Sequence, residues 1–302
     1  MQGRAESRVE TNYPLAALNT WKTGGRCSFF CAPTSAAELS EVVSSQLLTK
    51  DIYILGGGSN ILIADGQIDA LVVHTPGLNK ISLRRDPKCG SRVEMTAECG
   101  VGVKTLLAVA FANRLGGLEF LAGIPGTLGG ALWGNAGAGG KSFASCVKTV
   151  ETLERGGELR VWGRQDLHWK YRACPWTSDT LVITKCILSL EETSVENIKD
   201  AIRKYSALKK GQPLGRATAG CVFKNPEGSA AGALLERAGC KGMRVGGAMV
   251  SPCHANFIEN VDNASAEDIF SLSELCRKKV AEQFGINLEY EIRMLGGFEK
   301  KK

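Results

Sequence analysis

Residues 56–60 (GGGSN) have the composition that most directly suggests chemistry. They follow a short apolar run, 52–55, that predicts a buried strand. Three consecutive glycines let several backbone amides converge on one anion, and Ser59 and Asn60 add side-chain hydrogen bonds. The stretch lacks the Gly-Lys-Ser/Thr of a Walker A loop and is no Gly-x-Gly-x-x-Gly loop opening a helix. A phosphate-binding loop and a sharp β-turn remain as alternatives.

A second glycine-rich stretch, 120–140, carries no charge and contains eight glycines. Its length is close to the roughly 20 apolar residues of a transmembrane helix. Pro125, Asn135 and the glycines between 134 and 140 argue against one continuous helix. Because glycine has no Cβ, its backbone can lie close to a flat or anionic ligand, so we expect a cofactor contact here. A set of tight turns between core strands is the alternative.

Four polar side chains are candidates for reactive groups, and each has an ordinary structural interpretation. Arg172 follows a tyrosine in a predicted loop, where an arginine is usually solvated. Cys221 lies in a short apolar segment, which is typical of an inert core thiol. Glu291 is on the polar face of the predicted last strand, and His254 fits a hydrogen-bonded structural histidine. Spacing alone does not bring these residues together.

The overall composition is that of an ordinary globular protein of 302 residues with a net charge of +6. No basic stretch is interleaved with aromatic residues, so nucleic acid is not an expected partner, whereas a phosphorylated small molecule suits the mild positive charge. The eleven cysteines show no C-x-x-C spacing. The nearest pair, Cys27 and Cys31, is distant in sequence from all three histidines, so no metal site is expected. The N-terminus has no apolar signal segment, which predicts a cytoplasmic protein with reduced thiols.

Hydrophobic periodicity predicts several strands and few helices without regular βαβ alternation, which is an α+β fold. Capping boxes are expected at 35–38 and 193–196. Helices are expected at about 36–47, 103–113, 195–208, 230–238 and 266–284, the last ending at Gly285. Strands are expected at 27–31, 52–55, 61–63, 70–74, 147–153, 158–162, 181–190, 220–226 and 286–295, with strand pairs over 81–97 and 246–258.

Eight short motifs follow one another from residue 19 to residue 293. They are 19–25 (NTWKTGG), 55–60 (LGGGSN), 123–130 (GIPGTLGG) with 134–137 (GNAG), 171–172 (YR), 212–213 (QP), 219–226 (AGCVFKNP), 246–251 (GGAMVS) with 254–257 (HANF), and 288–293 (LEYEIR). In this order they resemble the UDP-N-acetylenolpyruvoylglucosamine reductase family, the flavoenzymes of peptidoglycan precursor synthesis. Each motif is weak alone, and the resemblance depends on all eight being in register.

The resemblance implies a fold of the vanillyl-alcohol-oxidase or PCMH type, a non-covalent FAD, and NADPH as co-substrate. It implies the reduction of UDP-N-acetylglucosamine enolpyruvate to UDP-N-acetylmuramate by a monomer, with no nucleic acid or membrane partner. The short stretch from 190 to 209 is similar to the shorter, type II subclass. The expected domains are two FAD-binding subdomains at 1–75 and 76–190, a substrate-binding domain at 205–285, and a strand at 286–302 that returns to the flavin domain.

The resemblance also implies roles for individual residues. Arg172 is expected to hold the substrate carboxylate as negative charge develops. Cys221 is expected to protonate the carbanion, and Glu291 to polarise the carboxyl group or assist the proton transfer. The other implied site residues are Gly56, Gly57, Gly58, Ser59, Asn60, Gly123, Ile124, Pro125, Gly126, Gly130, Asn135 and Gly137 for FAD, and Tyr171, Lys209 and Asn225 for the substrate.

The chain departs from the best-known family pattern at the proton donor, where many members have serine and this chain has Cys221. A thiol, with a reference pKa of about 8.5, is mostly neutral at pH 7 and is more acidic than a hydroxyl. A second departure, Cys174 in place of a serine, bears only on local loop geometry. Two other functions stay open at this point: another FAD oxidoreductase of the same fold, and a non-catalytic UDP-sugar or nucleotide-binding module.

Overall fold

The structure, a computed structural model, describes residues 9–43, 51–85, 91–155, 157–172, 176 and 180–298. Apart from the residues outside these ranges, the chain forms two compact units. Unit 1 contains Phe30–Gly57 and Leu71–Lys210, and unit 2 contains Glu10–Phe29, Gly58–Ala70 and Gly211–Lys302. Each unit consists of several separate stretches of the chain, whereas the predicted domains are consecutive segments. The predicted domain boundaries stay a prediction.

The helices and strands of the described residues are as follows in chain order. The α-helices are α1 Ala36–Val43, α2 Val103–Ala112, α3 Leu128–Trp133, α4 Val195–Ala207, α5 Ala231–Arg237 and α6 Ala266–Phe284. The strands are β1 Glu10–Pro14, β2 Arg26–Cys31, β3 Asp51–Leu55, β4 Ile61–Ile63, β5 Gln67–His74, β6 Ile81–Arg85, β7 Arg92–Glu98, β8 Leu115–Gly116, β9 Gly137–Ala138, β10 Lys141–Ser142, β11 Val147–Glu154, β12 Leu159–Gly163, β13 Thr180–Glu192, β14 Arg244–Val245, β15 Ala248–Val250, β16 Ile258–Asn260 and β17 Arg293–Leu295. One four-stranded sheet has the order β1-β2-β5-β3.

The main sheet of unit 1 is antiparallel and has the order β12-β11-β13-β7-β6, with β8 also paired to β13. On β7, Val93, Met95 and Ala97 are buried, as expected for alternate side chains that face a core. The long strand β13 lies at the centre, with Leu188 opposite Met95 on β7. This sheet confirms the strands predicted over 81–97, 147–153, 158–162 and 181–190; most of the predicted turn at 86–91 lies outside the described residues.

The hydrogen bonds at the N-termini of α4 and α1 in unit 1 can be compared with the predicted capping boxes. The N-cap of α4 is Ser194, whose hydroxyl accepts from the Asn197 amide at 3.1 Å. The box predicted at 193–196 is therefore wrong by one residue, because the Thr193 hydroxyl accepts instead from the Asn197 side chain. Ahead of α1, the Ser35 hydroxyl accepts from the Glu38 amide at 3.2 Å. The third predicted turn of α1, at Leu47, lies outside the described residues.

Helix α6 is the longest helix of unit 2 and is closed at both ends. The Ser265 hydroxyl accepts from the Asp268 amide, and the Asp268 carboxylate accepts from the Ser265 amide, both at 3.0 Å. Gly285 ends the helix with a left-handed φ of 69°. The apolar face of α6, with Ile269 and Leu272 fully buried, packs into the core of this unit. The predicted bounds 266–284 are confirmed.

The 19–25 motif contributes to the same core of unit 2. Trp21 is fully buried, and its indole Nε1 donates to the Ile258 carbonyl at 2.8 Å. Ile258 begins β16, the outer strand of the small antiparallel sheet β14-β15-β16. This sheet contains the strand pair predicted over 246–258. Trp21 is therefore a packing residue of the core, and its indole N–H, the one donor of the side chain, is hydrogen-bonded.

Two predicted strands of unit 2 are wrong in extent. Only residues 293–295 of the predicted strand 286–295 form a strand, β17, which pairs in parallel with β4. The segment 220–226 forms no strand and has one isolated bridge, from Phe223 to Tyr290. The physical reason is that the Val222 carbonyl accepts from both the Glu291 amide at 2.8 Å and the Ile292 amide at 3.4 Å. Two donors on one acceptor shift the register and interrupt a regular ladder.

The stretch 120–140 contains one short α-helix, the six-residue α3, and the end of a 3-10 turn over Glu119–Leu121. Gly123 and Gly126 before it have positive φ values of 75° and 99°, which end any helix at those points. The prediction that this stretch is not one continuous helix is confirmed. Among the helices that the structure describes, none has the length and hydropathy needed to span a bilayer.

Candidate active site

The first glycine loop and the second glycine-rich stretch approach each other inside unit 1. A Cβ placed on Gly56 would lie 2.4 Å from the Thr127 hydroxyl oxygen, and one on Gly57 would lie 2.9 Å from the Gly126 Cα. Real Cβ atoms do not tolerate such distances. Glycine is therefore required at 57 by the close approach of two backbone segments, and at 56 by the side chain of Thr127.

The second half of the loop belongs to unit 2 and has a structural task. Gly58 has a positive φ of 61°, and its carbonyl accepts from the Thr20 amide at 3.0 Å. Asn60 donates from Nδ2 to the Glu291 carbonyl at 3.1 Å, and its own carbonyl accepts from the Arg293 amide at 2.9 Å. Asn60 thus fixes the segment before β17. Cofactor contacts of Gly58, Ser59 and Asn60 stay predictions.

Two buried polar atoms of the 120–140 stretch bear on the binding of a cofactor. Neither the Thr127 hydroxyl nor the Asn135 Oδ1 has a hydrogen-bond partner among the described residues. Thr127 is 5% exposed and Asn135 is 8% exposed. Buried polar atoms are normally hydrogen-bonded, so these two are suited to a bound ligand. Together with the backbone approach of Gly57 to Gly126, they fit a polar, flat cofactor such as FAD.

Other predicted cofactor residues of the stretch have less specific surroundings. The Ile124 amide donates to the Leu121 carbonyl at 2.9 Å, and Pro125 and Gly130 are exposed. A Cβ on Gly137 would lie 2.1 Å from the Lys141 carbonyl oxygen, so the pairing of β9 with β10 is sufficient to require this glycine. FAD contacts at these four positions, and at Gly123, stay predictions.

Lys209 is a buried cation held against the same stretch. Its Nζ donates to the Ala122 carbonyl, and its Cδ lies 3.2 Å from the position of a Cβ on Gly123. Burial, and then the nearby positive charge of Arg172, lower the pKa of Lys209 to about 8. The side chains of Lys209 and Arg172 therefore lie close enough to interact electrostatically within unit 1, an arrangement that suits an anionic ligand.

Arg172 lies in a strained part of the chain. Its φ is 49°, a left-handed value that a residue with a Cβ adopts only when its surroundings impose it. Its guanidinium carbon is 5.4 Å from the ring centroid of Tyr171, a cation–π contact on an exposed tyrosine. Cys174, two residues further on, lies outside the described residues.

In unit 2, the structure brings Cys221 and Glu291 together, although 70 positions separate them in the sequence. The Glu291 amide donates to the carbonyl of Val222 at 2.8 Å, and the Lys224 amide donates to the Glu289 carbonyl at 2.9 Å. The two half-buried residues therefore lie on adjoining segments. Arg172 belongs to unit 1, and its action together with this pair stays a prediction.

Cys221 lines a cavity of about 350 Å³ in unit 2. Its lining includes Cys221, Asn225, Cys253 and His254. The Asn225 Oδ1 accepts from the Ala231 amide at 3.0 Å, at the start of α5, so this side chain caps a helix next to the cavity. Its contact with a substrate diphosphate stays a prediction.

His254 is a cavity residue that the sequence pattern favoured only as a structural histidine. Its Nδ1 accepts from the Asn256 amide at 3.2 Å, so the neutral ring carries its proton on Nε2. Burial lowers the pKa of His254, and the charge of Lys241 lowers it further. A Cβ on Gly232 would lie 2.8 Å from the ring Cε1. The one signal in the sequence is this glycine inside a helix, where glycine is disfavoured.

No group of three or more metal-ligating side chains occurs among the described residues. The organic cofactor, by contrast, is supported by comparison with known proteins. Residues 27–163 match the FAD-binding domain family, and the cradle between Gly57 and Gly126 lies in that range. The fold and the site therefore define an FAD-dependent oxidoreductase of α+β architecture.

The remaining comparisons identify the family. Residues 212–295 match the C-terminal domain of UDP-N-acetylenolpyruvoylglucosamine reductase. The enzyme of that name from Carboxydothermus hydrogenoformans is 38% identical over 297 residues, which cover 97% of this chain and 96% of the relative. The one from Orientia tsutsugamushi (strain Ikeda) is 36% identical over 297 residues, with the same coverage. The crystal structure of UDP-N-acetylenolpyruvylglucosamine reductase (MurB) from Thermus caldophilus superimposes with a TM-score of 0.81 at 31% identity, covering 96% of this chain and 99% of that one.

The chain belongs to the UDP-N-acetylenolpyruvoylglucosamine reductase family. The predicted reductase role in peptidoglycan synthesis, the FAD cofactor and the small-molecule partners, a UDP-sugar and NADPH, are confirmed at the level of this family. The predicted fold class is confirmed as well.

Proposed function

We propose that this chain reduces UDP-N-acetylglucosamine enolpyruvate to UDP-N-acetylmuramate, with Cys221 as the proton donor to the substrate. The observation that carries the proposal is the position of Cys221 on the wall of the 350 Å³ cavity, next to the segment of Glu291. When bound, FAD that has been reduced by NADPH supplies the hydride for the enolpyruvyl double bond. The chain's own residues supply the proton and the charge that the substrate needs.

Hydride addition to the enolpyruvyl group leaves negative charge on the carbon next to the carboxylate. The thiol of Cys221 transfers its proton to that carbon, and the sulfur keeps the electron pair as a thiolate. A thiol is a stronger acid than the serine hydroxyl of many relatives, so the replacement keeps the chemistry possible. The half-buried position of Cys221 limits the access of water to the transferred proton.

Arg172 is proposed to bind the substrate carboxylate, because a fixed guanidinium stabilises negative charge as it develops there. The left-handed backbone of Arg172 supports this role, since strained residues occur preferentially at functional sites. Glu291 is proposed to act on the carboxyl group or on the proton transfer. Tyr171, Lys209 and Asn225 are proposed as substrate contacts.

Gly56 and Gly57 are proposed to hold the FAD pyrophosphate with their backbone amides. The second stretch, from Gly123 to Asn135, is proposed to line the flavin ring. We further propose that the protein works in the cytoplasm as a monomer, without a nucleic-acid or membrane partner.

The proton donor is tested by separating the two half-reactions in a stopped-flow instrument. In Cys221→Ala, NADPH should reduce the flavin at nearly the wild-type rate. Oxidation of the reduced flavin by the enolpyruvyl substrate should fall by at least about 100-fold, the usual contribution of a general acid. Cys221→Ser should keep appreciable activity, because a hydroxyl also carries a proton.

The matched control is Cys253→Ser, which removes an exposed thiol from the loop of His254 and should leave both half-reactions within about twofold. If the substrate oxidises the reduced flavin of Cys221→Ala at the wild-type rate, Cys221 is not the proton donor. If Cys221→Ser is as inactive as Cys221→Ala, a serine hydroxyl does not replace the Cys221 thiol as the proton donor in this chain.

A further inference from the structure

Asn135 has a backbone conformation that few residue types adopt easily. It follows the end of α3 with a φ of 43°, and its amide donates to the Leu132 carbonyl at 3.0 Å. Asparagine and glycine are the residues that accept a left-handed position after a helix. The side chain is 8% exposed, so the turn directs an amide group into the interior of unit 1.

The buried amide of Asn135 holds the segment that leads to Arg172. Its Nδ2 donates to the Lys170 carbonyl at 3.1 Å, across 35 positions of sequence. Lys170 stands two residues before Arg172, whose own φ is 49°. A residue in that region keeps its conformation only if its neighbours hold it there. The hydrogen bond to Lys170 is such a constraint.

The other atom of the same amide, Oδ1, is buried and has no partner among the described residues. It can therefore accept a hydrogen bond from a ligand, and it lies on the stretch that is proposed to line the flavin ring. We propose that Asn135 is a positioning residue that connects the flavin-binding stretch to the Arg172 segment, with Nδ2 on Lys170 and Oδ1 toward the cofactor. The catalytic consequence rests on the proposed function of Arg172, whereas the connection itself does not.

Two variants separate the backbone from the side chain. Asn135→Gly keeps the left-handed φ and removes the amide. Asn135→Asp has a similar volume and tolerance of that φ, and keeps an acceptor, but it replaces the donor with an oxygen that faces the Lys170 carbonyl. The control is Asn263→Gly, because Asn263 is an exposed asparagine in unit 2 with a similar φ of 48°.

The first measurement is tryptic cleavage after Lys170 and Arg172, mapped by mass spectrometry on the apoprotein and on the FAD-loaded enzyme. Both Asn135 variants should be cut there at least about fivefold faster than wild type, the factor that one lost hydrogen bond contributes. FAD should protect these sites in wild type more than in either variant. The control should be cut at the wild-type rate. Wild-type cleavage rates at both sites, in the apo and loaded forms of both variants, would overturn the proposal.

The second measurement separates this inference from the proposed function. The KM for the enolpyruvyl substrate should rise at least about fivefold in both variants. Faster cleavage with an unchanged KM would support the connection made by Asn135 and refute the role of Arg172 in binding the carboxylate. An unchanged cleavage rate with a raised KM would refute the connection and leave the role of Arg172 standing.

Discussion

Replacing Gly57 with alanine tests whether the backbone cradle of unit 1 holds the flavin. Gly57 has no left-handed φ, so alanine is compatible with its backbone conformation. The added Cβ would lie 2.9 Å from the Gly126 Cα and 3.3 Å from the Gly126 carbonyl carbon. Both neighbours are backbone atoms, which cannot rotate away as a flexible side chain would.

The magnitude follows from the distance. Ordinary van der Waals contact begins at 3.4 Å, so the two backbone segments must separate by at least about 0.5 Å. Inserting one methyl group into a tightly packed place costs about 1–3 kcal/mol. If the loop relaxes in the apoprotein and must close again around the cofactor, that cost appears in binding. The Kd for FAD should then rise by a factor of about 5 to about 150.

The assay is titration of the apoprotein with FAD, followed by quenching of flavin fluorescence, together with urea unfolding of the apoprotein. The control is Gly297→Ala, since a Cβ at Gly297 meets nothing within 4 Å; it should bind FAD like wild type. If Gly57→Ala also binds FAD within about twofold of wild type, the close approach of Gly57 and Gly126 has no part in the cofactor site. If the loss appears only in urea unfolding, the approach serves the fold alone.

Two further predictions concern stability. The pKa of Lys209 is lowered to about 8 from 10.5. Between these pH values the unfolded chain therefore binds more protons than the folded chain. The free energy of unfolding should rise with pH over this range, by about 3 kcal/mol in total. Lys209→Met should lose this rise in urea unfolding measured from pH 7 to 11, and an equal rise in the variant would refute the assignment to Lys209. At the end of α6, Gly285→Ala should cost about 1–2 kcal/mol, because φ is 69° while a Cβ there meets nothing. Gly285→Asn should cost clearly less, and equal losses for alanine and asparagine in thermal unfolding would contradict this reason.

The strongly periodic elements of this chain could be predicted from the sequence, because local signals decided them. Helix α6 has a capping serine, a long apolar face and a glycine stop, and its observed bounds are the predicted ones. Strand β7 of the main sheet in unit 1 alternates buried residues with more exposed ones, which also fixes its type. In each case the residues that determine the element lie within it or next to it.

The predicted strands at 220–226 and 286–295 failed for the opposite reason. Their backbone pairs are set by partners far away in the sequence, and the Val222 carbonyl takes two donors from residues 291 and 292. No local sequence pattern predicts that two amides will donate to this carbonyl. The one-residue error at the start of α4 is similar in kind, since Thr193 and Ser194 are both good caps and only the geometry chooses between them.

The sequence named residues for the candidate site, but it did not predict the contacts between them. The resemblance between motifs supplied Cys221, Glu291 and the glycine loops, but spacing did not show that Glu291 would lie beside Val222. Nor did it show that the cavity wall would include His254, because an isolated histidine is most often structural. The hydrogen bond from Asn135 to Lys170 is a contact between two loops, for which the sequence has no periodic signal.

The position of Glu291 shows why an irregular segment suits this site better than a strand. In a long regular strand, a series of interstrand hydrogen bonds would together fix the register and the position of Glu291. Here the Glu291 amide is held by the Val222 carbonyl, and its carbonyl is held by Asn60 Nδ2. These two contacts connect Glu291 to the residue after Cys221 and to the end of the first glycine loop. A displacement of either partner therefore moves Glu291 directly, so within unit 2 the segment of Cys221, Glu291 and the glycine loop are connected through two hydrogen bonds.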